Sequence, residues 1–124
     1  MTSQQPITTS VARRNGATVV SVAGEIDLNT APAFEAAIGE ALAQEPAVLV
    51  IELSQVQFMA SVGLRILVAA QEKVGESVQV AVVASSRATS RPIELTGLDK
   101  VFSLYPTLDE ALLAVRTNPT GPEH

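Results

Sequence analysis

Residues Val48-Leu49-Val50-Ile51-Glu52-Leu53 form an almost unbroken apolar run, and eight residues later the chain changes period at Ser61-Val62-Gly63-Leu64-Arg65-Ile66-Leu67. A strand this apolar is buried on both faces, which requires layers above and below a sheet. The change of period marks a helix starting at a small hydroxyl residue. First-turn N–H groups have no intrahelical acceptor and carry partial positive charge, so they tolerate a phosphate. Ser61 therefore reads in two ways, as an ordinary N-cap or as a phosphoacceptor. Leu64, three residues on, does not complete a capping box.

The segments around this junction extend the pattern. Ile7–Arg14 is rich in β-branched residues, Asn15-Gly16 is a tight-turn pair, and Ala17–Ala23 returns as the second strand of a hairpin. Gly24–Asp27 then leaves the strand for a loop. Thr30 is placed to cap a helix with Pro32 in its first turn, and Phe34, Ala37, Ile38, Ala41 and Leu42 form its apolar stripe. The buried strand spans 47–53 and a loop spans 54–60. The Ser61 helix buries Leu64, Leu67, Val68 and Val74, flanked by Val62, Ile66 and Ala69, and ends at Gly75. Val78–Val83 is a further strand. A helical piece opens at Ser85-Ser86-Arg87 and ends near Gly97, with Pro92 starting or breaking it. Val101–Leu104 is a short last strand. Thr107 and Glu110 have capping-box spacing before a final helix with the stripe Leu108, Ala111, Leu112 and Val115.

Strands alternating with helices after one hairpin predict an α/β domain. Its sheet is mixed, mostly parallel and four- to five-stranded, with an N-terminal β-hairpin and about four helices. The domain occupies residues 7–116, between a flexible N-terminus, 1–6, and a flexible tail, 117–124. Function in such sheets gathers at the carboxyl ends of the strands, here 24–30, 54–61 and 84–90, so Asp27 and Ser61 share one end.

The sequence also excludes chemistry. There is no Cys, and the lone His is the last of 124 residues, which removes thiol chemistry and most acid–base and metal chemistry. No cofactor motif and no phosphate loop occurs. Lys73 lies about 18 Å of helix rise from Ser61, out of reach as a base. The net charge of −5 with scattered cations argues against nucleic acid. No segment reaches the ~18 apolar residues that span a bilayer, so the expectation is a cytoplasmic protein with no membrane partner. Glu25 and Asp27 read either as a carboxylate pair or as solvated and capping acids. Phe58 and Met59 read as packing residues or as part of an exposed patch.

Gly24-Glu25-Ile26-Asp27 after a strand, then the stretch from Val50 to Leu64, resembles the anti-sigma-factor antagonist family, the STAS domain. That family shows Gly-Glu-[Leu/Ile]-Asp and, after a strand, Asp-Ser-[Ser/Thr]-Gly-[Leu/Ile]. Leu95-Thr96-Gly97-Leu98-Asp99-Lys100-Val101-Phe102 is similar to its later Gly-Leu segment. The likeness runs from about residue 7 to 116 and implies a STAS-like fold. It implies Ser61 as phosphoacceptor, Asp27 as the nearby loop acid, and Gly63 as the residue that lets the first helical turn pack closely. It implies a partner surface of Asp27, Met59, Ala60, Ser61, Val62, Gly63 and Leu64. The implied partner is an anti-sigma factor that is itself a serine kinase, with a metal-dependent serine phosphatase restoring the unmodified form. Ala60 stands where the family has Asp, Val62 where it has Ser or Thr, and Pro92 inside a helix the family continues. The alternatives are an interaction or scaffold module without phosphorylation, and a small-ligand sensor.

Overall fold

The structure is a computed structural model, and it describes residues 7–117, with side chains through Val115. The ends expected at 1–6 and, beyond Thr117, at 118–124 lie outside the described residues. The element order is β1 (Ile7–Arg14), β2 (Ala17–Ile26), α1 (Ala31–Leu42), β3 (Val48–Met59), α2 (Ser61–Val74), β4 (Gln79–Val83), α3 (Arg87–Leu95), a 3₁₀ turn (Leu98–Lys100), β5 (Ser103–Tyr105) and α4 (Leu108–Thr117). The five strands lie in the order β1-β2-β3-β4-β5, the first pair antiparallel and the rest parallel.

The hairpin turns where the sequence places it. Asn15 and Gly16 both have positive φ, 53° and 85°, and Arg14 pairs directly with Ala17. Helices α1, α2 and α3 cover one face of the sheet. Their core gathers Val20, Val22 and Ile26 of β2, Leu49, Ile51 and Leu53 of β3, Phe34 and Ile38 of α1, and Ile93 of α3. Helix α4 covers the opposite face, packing Ala111 and Leu112 on Ala17, Val19, Val50, Ala81 and Val83. The central strand β3 is thus covered on both sides, as its apolar run requires.

Five local expectations are corrected. β2 runs on to Ile26, and β3 runs through the expected loop to Met59. Their pairing continues past Glu52 across two irregularities, each adding a residue to β3. These bulges break the two-residue alternation, which is why polar Ser54, Gln55 and Gln57 read as loop. The buried face of α2 is Gly63, Ile66, Leu67 and Ala70; Leu64, Val68 and Val74 are only half-buried and Ala69 is exposed. Helix α3 passes through Pro92 without ending. Pro92 forfeits one backbone bond, to the Ala88 carbonyl, while the fully buried Thr89 and Ile93, one turn apart, anchor the helix. The last strand starts two residues late, at Ser103. No helix among the described residues is long and apolar enough to cross a membrane.

Candidate functional site at the carboxyl end of β2 and β3

The ends of β2 and β3 are tied together. Ile26 pairs with Met59, and the Ala60 N–H donates to the Ile26 carbonyl at 2.8 Å. The two chains then diverge into the N-termini of α1 and α2. Asp27 and Ser61, 34 positions apart in sequence, therefore leave the same rim of the sheet on neighbouring strands.

On the β2 side, the segment 25–30 is a self-contained hydrogen-bonded turn. The Asp27 Oδ1 accepts from the N–H of Asn29 at 2.9 Å and of Thr30 at 3.0 Å. The buried Thr30 hydroxyl accepts from the Asp27 N–H and donates to the Glu25 carbonyl, both at 2.8 Å. Thr30 occupies the N-cap position of α1, but its side chain turns back into this loop and caps nothing. The Asp27 carboxylate supplies the bonds of a capping acid, while Glu25 is exposed and makes no pair with it.

On the β3 side, α2 begins one residue earlier than an N-cap reading of Ser61 requires. Ala60 is the N-cap, in extended conformation, and Ser61 is the first helical residue. The continuation of β3 to Met59 sets this frame. Ser61 is exposed, and its hydroxyl makes no hydrogen bond among the described residues. No side chain caps α2. The N–H groups of Ser61 and Val62 therefore face outward as the free donors of a first turn. The Gly63 N–H returns to the Ala60 carbonyl at 2.9 Å. Arg65 is exposed one turn beyond Ser61 and carries no ion pair among the described residues.

The expected surface residues divide into two layers. Ser61 is exposed, and Asp27, Ala60, Val62 and Leu64 are half-buried. Met59 and Gly63 lie beneath them in contact with each other. A Cβ on Gly63 would fall 2.6 Å from the Met59 Cγ and 3.0 Å from the Ile26 Cγ2. Two exposed apolar side chains join the rim. Leu28 is 80% exposed and Phe58 50% exposed, from the two strand ends that carry Asp27 and Ser61. Leu28 was not singled out by sequence. Its one signal is an isolated apolar residue inside a polar turn, Asp27-Leu28-Asn29.

A mixed five-stranded sheet with an antiparallel hairpin edge, three helices on one face, and this paired rim is the architecture of a STAS domain. The STAS domain model matches residues 8–111, and the chain belongs to that family. Over 116 residues it is 54% identical to the anti-sigma-F factor antagonist RsfB of Mycobacterium tuberculosis, covering 94% of this chain and 95% of that one. It is 60% identical to an anti-sigma factor antagonist from Mycobacterium paratuberculosis of known crystal structure, with a TM-score of 0.85 over 89% of this chain and 94% of that one. The unphosphorylated form of the Bacillus anti-sigma factor antagonist SpoIIAA shares the fold at 19% identity, with a TM-score of 0.69 over 89% and 97% of the two chains.

Proposed function

We propose that this chain is an anti-sigma factor antagonist. It binds an anti-sigma factor that is a serine kinase, frees the sigma factor that the kinase held, and loses the interaction when Ser61 is phosphorylated. A metal-dependent serine phosphatase restores it. The observation that carries the reading is the state of the Ser61 hydroxyl: exposed, unused in any hydrogen bond among the described residues, and on a rim that also presents Leu28 and Phe58. The high identity to two antagonists supports the same reading.

Phosphorylation adds about −1.5 to −2 charges at that oxygen. Burying a dianion in a contact costs several kcal/mol per ion, and each 1.4 kcal/mol is tenfold in affinity. Partner release then follows without refolding. The test is intact mass after incubation with ATP and a cognate anti-sigma factor, together with a binding titration. One phosphate is gained by the natural chain and none by Ser61→Ala. Ser61→Ala retains the anti-sigma factor, and Ser61→Asp binds it at least tenfold more weakly. Equal affinity of the Ser and Asp forms overturns the mechanism.

A further inference from the structure

We infer that the outer edge of β1 is a self-association surface, on which a second copy of this chain pairs antiparallel to form a continuous ten-stranded sheet. β1 is eight residues long, β-branched at Ile7, Thr8, Thr9 and Val11, free of proline, and paired to β2 without a bulge. Sheets usually protect such an edge by shortening, bulging or covering it. Here nothing among the described residues pairs with it, and Thr8–Ser10 and Ala12–Arg14 are exposed.

The hairpin fixes which backbone groups the edge presents. Arg14 and Ala17 flank a two-residue turn, so they exchange hydrogen bonds with each other. The alternation then assigns Ala12, Ser10 and Thr8 to β2. The N–H and C=O groups of Arg13, Val11, Thr9 and Ile7 point outward. Two such edges satisfy all of these groups in one symmetric register, with Ser10 facing the other copy's Ser10. Thr9 then faces Val11, and Ile7 faces Arg13, in both directions.

Charge favours the second copy in this register. Arg14 lies on the α4 side of the sheet, as does Glu25 by the alternation of β2. In the dimer, Arg14 of one copy extends past Ile7 of the other, toward the Glu25 that follows Gly24, the β2 residue paired with Ile7. Both side chains are exposed and neither has an ion pair among the described residues. Edge pairing of eight residues buries less than the ~1,600 Å² of a standard interface, so the dimer is weak and concentration-dependent. The two copies run antiparallel, so both Ser61 rims stay open at opposite ends.

The test is sedimentation velocity with the full chain from about 5 µM to 1 mM at about 0.15 M salt, where the net charge of −5 is screened. The expected result is a shift from one chain mass toward two. Thr9→Pro removes an outward N–H without touching the β2 ladder, and it raises the dissociation constant at least tenfold while the circular dichroism spectrum is unchanged. Arg14→Glu weakens the dimer, and adding Glu25→Arg to it restores association. A single monomeric species at 1 mM overturns the inference. So does a dimer that survives Thr9→Pro at full strength, or a charge swap that fails to restore what Arg14→Glu removes.

Discussion

Gly63→Ala isolates the contact on which the Ser61 rim rests. The substitution adds one methyl in the first turn of α2, where helix propensity alone favours Ala over Gly by up to ~1 kcal/mol. Packing opposes it. The new Cβ meets the Met59 Cγ at 2.6 Å, the Met59 Sδ at 3.0 Å and the Ile26 Cγ2 at 3.0 Å, against about 3.5–4.0 Å for relaxed carbon contacts. Met59 can rotate, but it is buried, and Ile26 is fully buried and stiff at χ1. Overpacking of this kind costs about 1–3 kcal/mol. The net expectation is a loss of about 1–2 kcal/mol, or roughly 5–10 °C in Tm for a domain of this size. Urea and thermal denaturation read this directly. The same measurement in a Met59→Ala background removes the nearest clash, and there Gly63→Ala becomes neutral or stabilising, with a coupling of about 1 kcal/mol or more. A Gly63→Ala chain as stable as the natural one, with no coupling to Met59, would refute the packing argument.

The other predictions address the rest of the rim and one helix away from it. Thr30→Val keeps the shape but strands the Asp27 N–H and the Glu25 carbonyl, and it lowers stability by about 1–3 kcal/mol in urea denaturation. Ala60→Asp supplies the missing cap of α2 and stabilises the unmodified chain by about 1 kcal/mol, read as a higher Tm. Leu28→Ser and Phe58→Ser leave Tm nearly unchanged, because both side chains are exposed, and on the proposed function each weakens binding of the anti-sigma factor in a titration. Pro92→Ala restores a backbone bond inside α3, and the gain exceeds the ~0.4–1 kcal/mol that Pro contributes through the unfolded chain, so Tm rises.

Strong local signals were readable from the residues. Asn15-Gly16 gave the hairpin because a two-residue turn needs positive φ twice. The stripes of α1 and α4 gave their buried faces, since Phe34, Ile38, Ala111 and Leu112 bury as spaced. The misread regions share a cause. In α2 the buried face includes Gly63 and Ala70, which hydropathy ranks below Leu64 and Val68, although at Gly63 the missing side chain is what allows close contact with Met59 and Ile26. In β3 the bulges shift the pleat, so Val56 and Met59 are buried three apart rather than two. Pro92 is tolerated because tertiary burial of Thr89 and Ile93 outweighs a local penalty that spacing treats as a stop. At the rim, the Ser61 junction was legible as a change of period. The turn that engages Asp27 and Thr30 was not, because it depends on hydrogen bonds that residue spacing does not specify.

On the proposed function, a charge on Ser61 changes the contact before it changes the fold. The Asp27 carboxylate is held by two backbone N–H groups of its own loop, and Ala60 brings no carboxylate to the start of α2. A phosphate on the first helical residue therefore meets free N–H donors and, one turn on, the exposed Arg65, which has no ion pair among the described residues. The helix terminus contributes about 0.3–1 kcal/mol and an i,i+4 pair about 0.2–0.5 kcal/mol. Together these retain the modified chain in its folded form. They do not approach the several kcal/mol of dehydration that a partner seated over Ser61 imposes on the same phosphate. On the proposed function, the inequality between those two sums makes the modification a switch of association, while the ~14-residue helix beneath it keeps its place on the sheet.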